Sequence, residues 1–162
     1  MSPAKHAHVS PSSPPPDYRS AAFPRLQIAT GAGLILFWSL FFTIGLAPAN
    51  PPPGYFEFEH SFTVPDLILA AGLICAGLQW RDPMGNRHVA RTLSLLCAGA
   101  LISLGLLDTS FNIRSGIYTA NLADAVGALA INLWCLGFGG YLAIKVTAHE
   151  CDGPDEPVRS LE

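Results

Sequence analysis

The sequence predicts an all-α integral membrane protein, a four-helix up-down-up-down bundle with both termini cytoplasmic. Three observations carry this expectation. Half of the 162 residues are hydrophobic and only 13% are charged, whereas a soluble domain carries about a quarter charged residues. The remaining charges are clustered and leave four apolar runs, 26–47, 64–80, 92–107 and 122–144, at or near the roughly 17 to 25 residues a helix needs to cross a bilayer. Basic residues then alternate between the connections: Lys5, Arg19 and Arg25 precede the first run, Arg81, Arg87 and Arg91 separate the second from the third, and Lys145 and Arg159 follow the fourth. Of the 9 Lys and Arg, only Arg114 falls in the other set of loops, and the positive-inside rule puts the richer set in the cytoplasm.

In chain order, residues 1–25 read as a disordered Pro/Ser-rich cytoplasmic tail, because the tract Pro11 to Pro16 lacks the apolar area that ordering requires. Pro15, Pro16 and Tyr18 match a short WW-domain ligand pattern, for which chance is the better explanation in a proline-rich tail; His6 and His8 are too few for a metal site. The first apolar run ends at Ala47-Pro48-Ala49, which is similar to a signal-peptide cleavage site. Its apolar stretch is longer than a signal h-region, so it is expected to remain as a helix. Trp38 falls near the middle of that helix, as a packed core residue or a cavity wall.

Between the first and second runs lies Tyr55 to Asp66, YFEFEHSFTVPD. Its alternation, with Tyr55, Glu57, Glu59 and Ser61 on one side and Phe56, Phe58, His60 and Phe62 on the other, predicts an extended segment with a polar and an aromatic face. Such a segment is expected to rest at the interface, or to form a lid over an acidic pocket. Thr63 and Asp66 have capping-box spacing with Pro65 between them, which predicts that the second helix starts there. The short turn Asp82 to Ala90 makes the second and third helices antiparallel neighbours. Asp108 is expected at the end of the third helix, where the macrodipole favours a cation, so it needs a partner, with Arg114 as the structural candidate. Asn121 and Asp124 repeat the capping logic at the fourth helix, which also carries Asn132, expected to bond across the bundle or to line a polar path. Residues 149–162 form an acidic cytoplasmic tail.

The acids gather at one depth. Asp66 lies 15 residues before Arg81 and Asp108 lies 17 after Arg91, so helical rise puts both roughly 22 to 26 Å above the basic boundary. Asp124 joins the same layer. An acid held in the apolar region costs up to about 3 kcal/mol, which makes it a functional candidate by default. The predicted ligand-binding residues are therefore Asp108, Glu59, Asp66, Asp124, Asn112, Glu57 and His60. Oxygen donors of this kind suit calcium, magnesium or an ammonium group. No zinc-type spacing such as HExxH occurs, no particular metal is assigned, and no motif names a cofactor.

Cys75, Cys97 and Cys135 fall within helices and Cys151 in the tail, with no CxxC pair, which removes disulfide chemistry of the usual kind. The chain is net acidic without a basic patch, which argues against nucleic acid. Small-residue pairs, Gly72 with Ala76, Gly99 with Ser103 and Ala123 with Gly127, are expected to let helices approach closely. Glu59 to Phe62 and Asp108 to Phe111 share an acid, any residue, Ser, Phe pattern that a duplicated hairpin would explain. The reading is a noncatalytic protein of the cell membrane that binds a cation or small polar ligand at an outward-facing acidic site, or serves as subunit of a membrane complex. Its partners are the lipid bilayer and, where it assembles, a protein partner or a second copy. Two alternatives stand beside it. One is a lipid-modifying enzyme with carboxylate and His60 acid–base chemistry in a cavity lined by Trp38 and Trp134, the other an oligomeric transporter.

Overall fold

A computed structural model describes residues 22–48 and 50–148. Residues 1–21 and the tail 149–162, with the WW-type pattern, the two tail histidines and Cys151, lie outside the described residues. The described chain is helical: α1 Ala22–Ile44, α2 Tyr55–Arg81, α3 Arg87–Ser115, the single turn α4 Ile117–Ala120, and α5 Leu122–Ala148. The four long helices are long and apolar enough to cross a membrane. Large apolar side chains such as Leu36, Ile68, Leu96, Leu133 and Ile144 cover the outer surface. In water such a surface would associate, whereas in a bilayer it is the lipid-facing one. The chain is a small membrane protein.

Packing follows the chain: α1 on α2, α2 on α3, and α3 on α5. The register shows each pair antiparallel. Gly77 lies against Pro24 and Ile28 while Gly31 lies against Ala70 and Ile74, and Gly105 meets Cys135 and Leu136 while Gly139 meets Ala98 and Ile102. At Gly31 and Gly77 a Cβ would come within 2.7 Å of a backbone carbonyl oxygen of the neighbouring helix, so these positions exist for close approach. The expected small-residue pairs are only partly the ones used. Gly72 touches Cys97, but Gly99 and Gly127 face open space. The main core is Leu69, Leu73, Leu101, Phe138 and Leu142 with their neighbours, and a second cluster of Trp38, Phe41, Tyr55 and Ile117 sits at the end where the acids lie.

The helices are longer than the apolar runs, and this corrects several expectations. α1 starts at Ala22, so Phe23 and Pro24 are buried helix residues and not part of a tail. α2 begins at Tyr55, after Gly54 in the left-handed conformation (φ 79°) that favours glycine. Tyr55 to Asp66 is therefore helix and not an extended lid, and the glutamates do not sit on a loop. Thr63 caps nothing, and Pro65 lies inside the helix. α3 runs on to Ser115 and is closed by Gly116, whose N–H donates to the Asn112 carbonyl. Asp108 consequently stands two turns before the helix end, and the macrodipole argument for it does not apply. The connections at this end shrink to 45–54 and 116–121.

At the opposite end the turn between α2 and α3 is closed by polar contacts. The Asn86 N–H donates to Gln79 Oε1 (2.9 Å), the Met84 N–H to Asp82 Oδ1 (2.9 Å), and Asn86 Oδ1 caps α3 by accepting from Val89 (3.2 Å). Below it, Ser94 Oγ accepts from Gln27 Nε2 (2.7 Å) and Trp80 Nε1 (3.0 Å) and donates to the Ala90 carbonyl (2.7 Å). That uses a hydroxyl's full capacity of one donor and two acceptors.

A candidate acidic site in the bundle

A helix brings residues three, four and seven apart onto one face. On α2 this aligns Tyr55, Glu59, Phe62 and Asp66, and on α3 it aligns Leu101, Leu104, Asp108 and Asn112. Both rows line a cavity of about 720 Å³ between α1, α2, α3 and α5. α5 contributes Asp124 and Asn132, α1 contributes Thr30, Gly33, Leu34 and Phe37, and Leu46 to Pro48 with Ile117 cover the end nearest the connections. Four carboxyl side chains, Glu59, Asp66, Asp108 and Asp124, thus share one void, and among the described residues no Lys or Arg lines it.

Each acid is held by the fold. Asp66 is 6% exposed and its Oδ2 accepts from Trp38 Nε1 (3.1 Å). Trp38 is fixed in turn by the rings of Phe37, Phe41 and Phe42. It is therefore a core residue with a fixed donor and not a wall of the cavity, unlike Trp134, which lines it. Glu59 lies one turn after Tyr55 on the same face of α2. Asp108 lies beside the amides of Asn112, one turn along α3, and Asn132, across on α5. Asp124 has the capping role expected from its spacing. Its N–H donates to Asn121 Oδ1 (2.9 Å), and Asn121 Nδ2 donates back to its carboxylate.

Asn132 is 2% exposed, and its Nδ2 donates to the Tyr118 hydroxyl (2.6 Å). Its Oδ1 has no hydrogen-bond partner. Gln27 Oε1 and Thr63 Oγ1 are likewise buried without a partner, and each such atom costs on the order of 1 to 3 kcal/mol. On the side of the basic end, Trp134 Nε1 donates to Thr30 Oγ1 (3.2 Å), joining α5 to α1 across the floor of the void.

Of the residues expected from sequence, Asp108, Glu59, Asp66, Asp124 and Asn112 all line the cavity. Glu57 and His60 do not: both are exposed, and His60 stacks on Phe42 with its edge to Phe41. Arg114 is exposed and lies away from the cavity, so it does not serve as the structural partner of Asp108. The shared pattern at Glu59 and Asp108 sits at the start of one helix and near the end of its antiparallel neighbour, which is not the relation between copies of a hairpin. Tyr55, Thr30 and Tyr118 were not expected. Tyr55 could have been found from its i, i+4 spacing to Glu59 once that stretch is taken as helix, whereas Thr30 has no signal in the sequence. Among the described residues, no three His, Cys, Asp or Glu side chains converge as a metal site requires; the acids are spread around the wall.

The chain matches no protein family, no curated protein and no solved structure.

Proposed function

We propose that this membrane protein is a noncatalytic binder of a small cationic ligand, and that the ligand carries an ammonium group. The observation that carries the reading is one cavity lined by four carboxyl groups and, among the described residues, by no Lys or Arg. Carboxyl groups that share a low-dielectric space repel unless a cation or protons compensate. The wall of this cavity supplies no cation of its own. An ammonium offers one positive centre with several N–H donors, so it compensates the charge and can hydrogen-bond more than one carboxylate. The spread of the acids favours it over a bare calcium or magnesium ion, which needs six or more oxygens around one point.

The position of His60 outside the cavity weighs against carboxylate–histidine acid–base chemistry there. The packed core beyond Trp134 and Thr30 weighs against a continuous polar path through one copy. The distribution of basic residues supports cytoplasmic termini and an acidic end that faces the other side; reporter fusions at 50–52 and at the C-terminus test this, and a cytoplasmic signal from the 50–52 fusion overturns it.

The binding test is thermal unfolding of the purified protein in neutral detergent with ethylamine, calcium or magnesium. A ligand bound only by the folded state raises apparent stability by mass action. Ethylamine is expected to stabilise the wild type and to leave Asp108→Asn unchanged. Equal responses in the two proteins, or none in either, overturn the reading.

A further inference from the structure

The cavity does not end at the acids. α1 and α5 form no packed seam comparable to the other neighbouring pairs, and the void runs between them. On its two sides stand Gly33 of α1 and Gly127 of α5, and a Cβ added at either would meet nothing within 4 Å. Ala29, Ala123, Ala130 and Ile131 line the same gap and are exposed at the bundle surface. The end toward the connections is covered by Leu46 to Pro48 and Ile117, and the far end by the Trp134–Thr30 bond. The open side of the cavity therefore faces where the lipid chains lie. From Asp124 to Trp134 the gap extends about 15 Å along α5, half of a hydrocarbon core of about 30 Å.

We infer that the occupant is a single-chain amphiphile with a primary ammonium headgroup, taken sideways from the bilayer between α1 and α5. This deepens the cationic-ligand reading and rests on it. The ammonium lies among Glu59, Asp66 and Asp108 and donates to their carboxylates, while the alkyl chain lies along Gly33, Leu34 and Ile131. Charge complementarity selects the head, and the apolar gap selects the tail. A primary ammonium fits better than a quaternary one, because its N–H groups can donate to the carboxylates and a trimethylammonium has none.

The test uses the full chain in phosphatidylcholine nanodiscs, with ethylamine, dodecylamine, dodecyltrimethylammonium and dodecanol compared by thermal unfolding and by binding titration. Dodecylamine is expected to bind at least a hundredfold more tightly than ethylamine, since each buried methylene contributes about three- to fourfold. It should also exceed dodecanol and the trimethyl compound by tenfold or more. Gly127→Leu, which fills the gap without touching an acid, is expected to weaken dodecylamine at least tenfold and to leave ethylamine unchanged; Gly33→Leu serves if that variant does not fold. If ethylamine and dodecylamine bind equally, the lateral amphiphile site is overturned and the cationic site stands. If dodecanol matches dodecylamine, or Gly127→Leu and Gly33→Leu leave dodecylamine binding unchanged, the amphiphile site is likewise overturned. If the trimethyl compound matches dodecylamine, the N–H donation to the carboxylates is overturned. If neither amine binds, both readings fall.

Discussion

The two ends of the bundle use the same kinds of residue to opposite effect. At the basic end the buried polar groups turn toward one another. Gln27 and Trp80 both donate to Ser94, leaving Gln27 Oε1 without a partner, Arg87 donates to the Trp80 carbonyl (2.6 Å) and lies over its ring, and Phe23 meets Trp80 edge to face. Gly77 lets Pro24 and Ile28 pack directly onto α2 there. At the acidic end, Glu59, Asp66, Asp108 and Asn132 face a void, and two of the wall glycines meet no neighbour. Where helices touch, a polar side chain finds a partner for at least one of its atoms in the protein. Where they part, it remains available to something else.

The sharpest way to break this contrast is to put one side chain at both ends. Gly77→Leu drives a side chain into the Pro24 carbonyl and Ile28 and is expected to cost 3 kcal/mol or more, or to prevent folding, since overpacking against backbone cannot relax by a rotamer change; about 1 to 3 kcal/mol is usual where side chains can yield. Gly127→Leu should leave stability within about 0.5 kcal/mol. Reversible unfolding in mixed micelles reads both, and equal losses would mean that the acidic end is as tightly packed as the basic one. Ser94→Ala comes next. It strands the Gln27 and Trp80 donors and is expected to cost about 1 to 3 kcal/mol by the same measurement.

Asp108→Asn should be smaller and can differ in sign. It removes one of the acids that line a cavity with, among the described residues, no Lys or Arg in its wall, so in the absence of ligand the change is expected to be a gain of up to about 1 kcal/mol. A clear loss would mean that the contacts with the Asn112 and Asn132 amides outweigh the relief of charge. Trp134→Phe keeps the ring and removes the bond to Thr30, for an expected loss of about 0.6 kcal/mol, the usual worth of an interhelical hydrogen bond in a membrane. A loss several times larger would make that floor a main fastening of α1 to α5.

The stretch Tyr55 to Asp66 shows what was legible and what was not. Its aromatic and polar residues alternate over a few positions and suggest a strand. The same residues also carry the helical period, because Tyr55, Glu59, Phe62 and Asp66 follow each other by four, three and four. Local pattern supports both periods over so short a length. In a membrane the choice goes to the helix, which satisfies its backbone internally. Taking the polar residues as loop also shortened α2 and α3, and with it misplaced Asp108 at a helix end.

Composition and the order of charges along the chain determined that this is a membrane protein, that four helices cross, and that acids gather at one end and bases at the other. These are local properties, since a run of apolar residues has its hydropathy whatever it packs against. Tertiary structure alone decided that Glu59, Asp66, Asp108 and Asp124 share one cavity while Glu57 and His60 stay outside it, and that α1 and α5 stand apart. A void is set by the register between helices, which depends on where glycines such as Gly31, Gly77, Gly105 and Gly139 meet bulk on a neighbour far away in sequence.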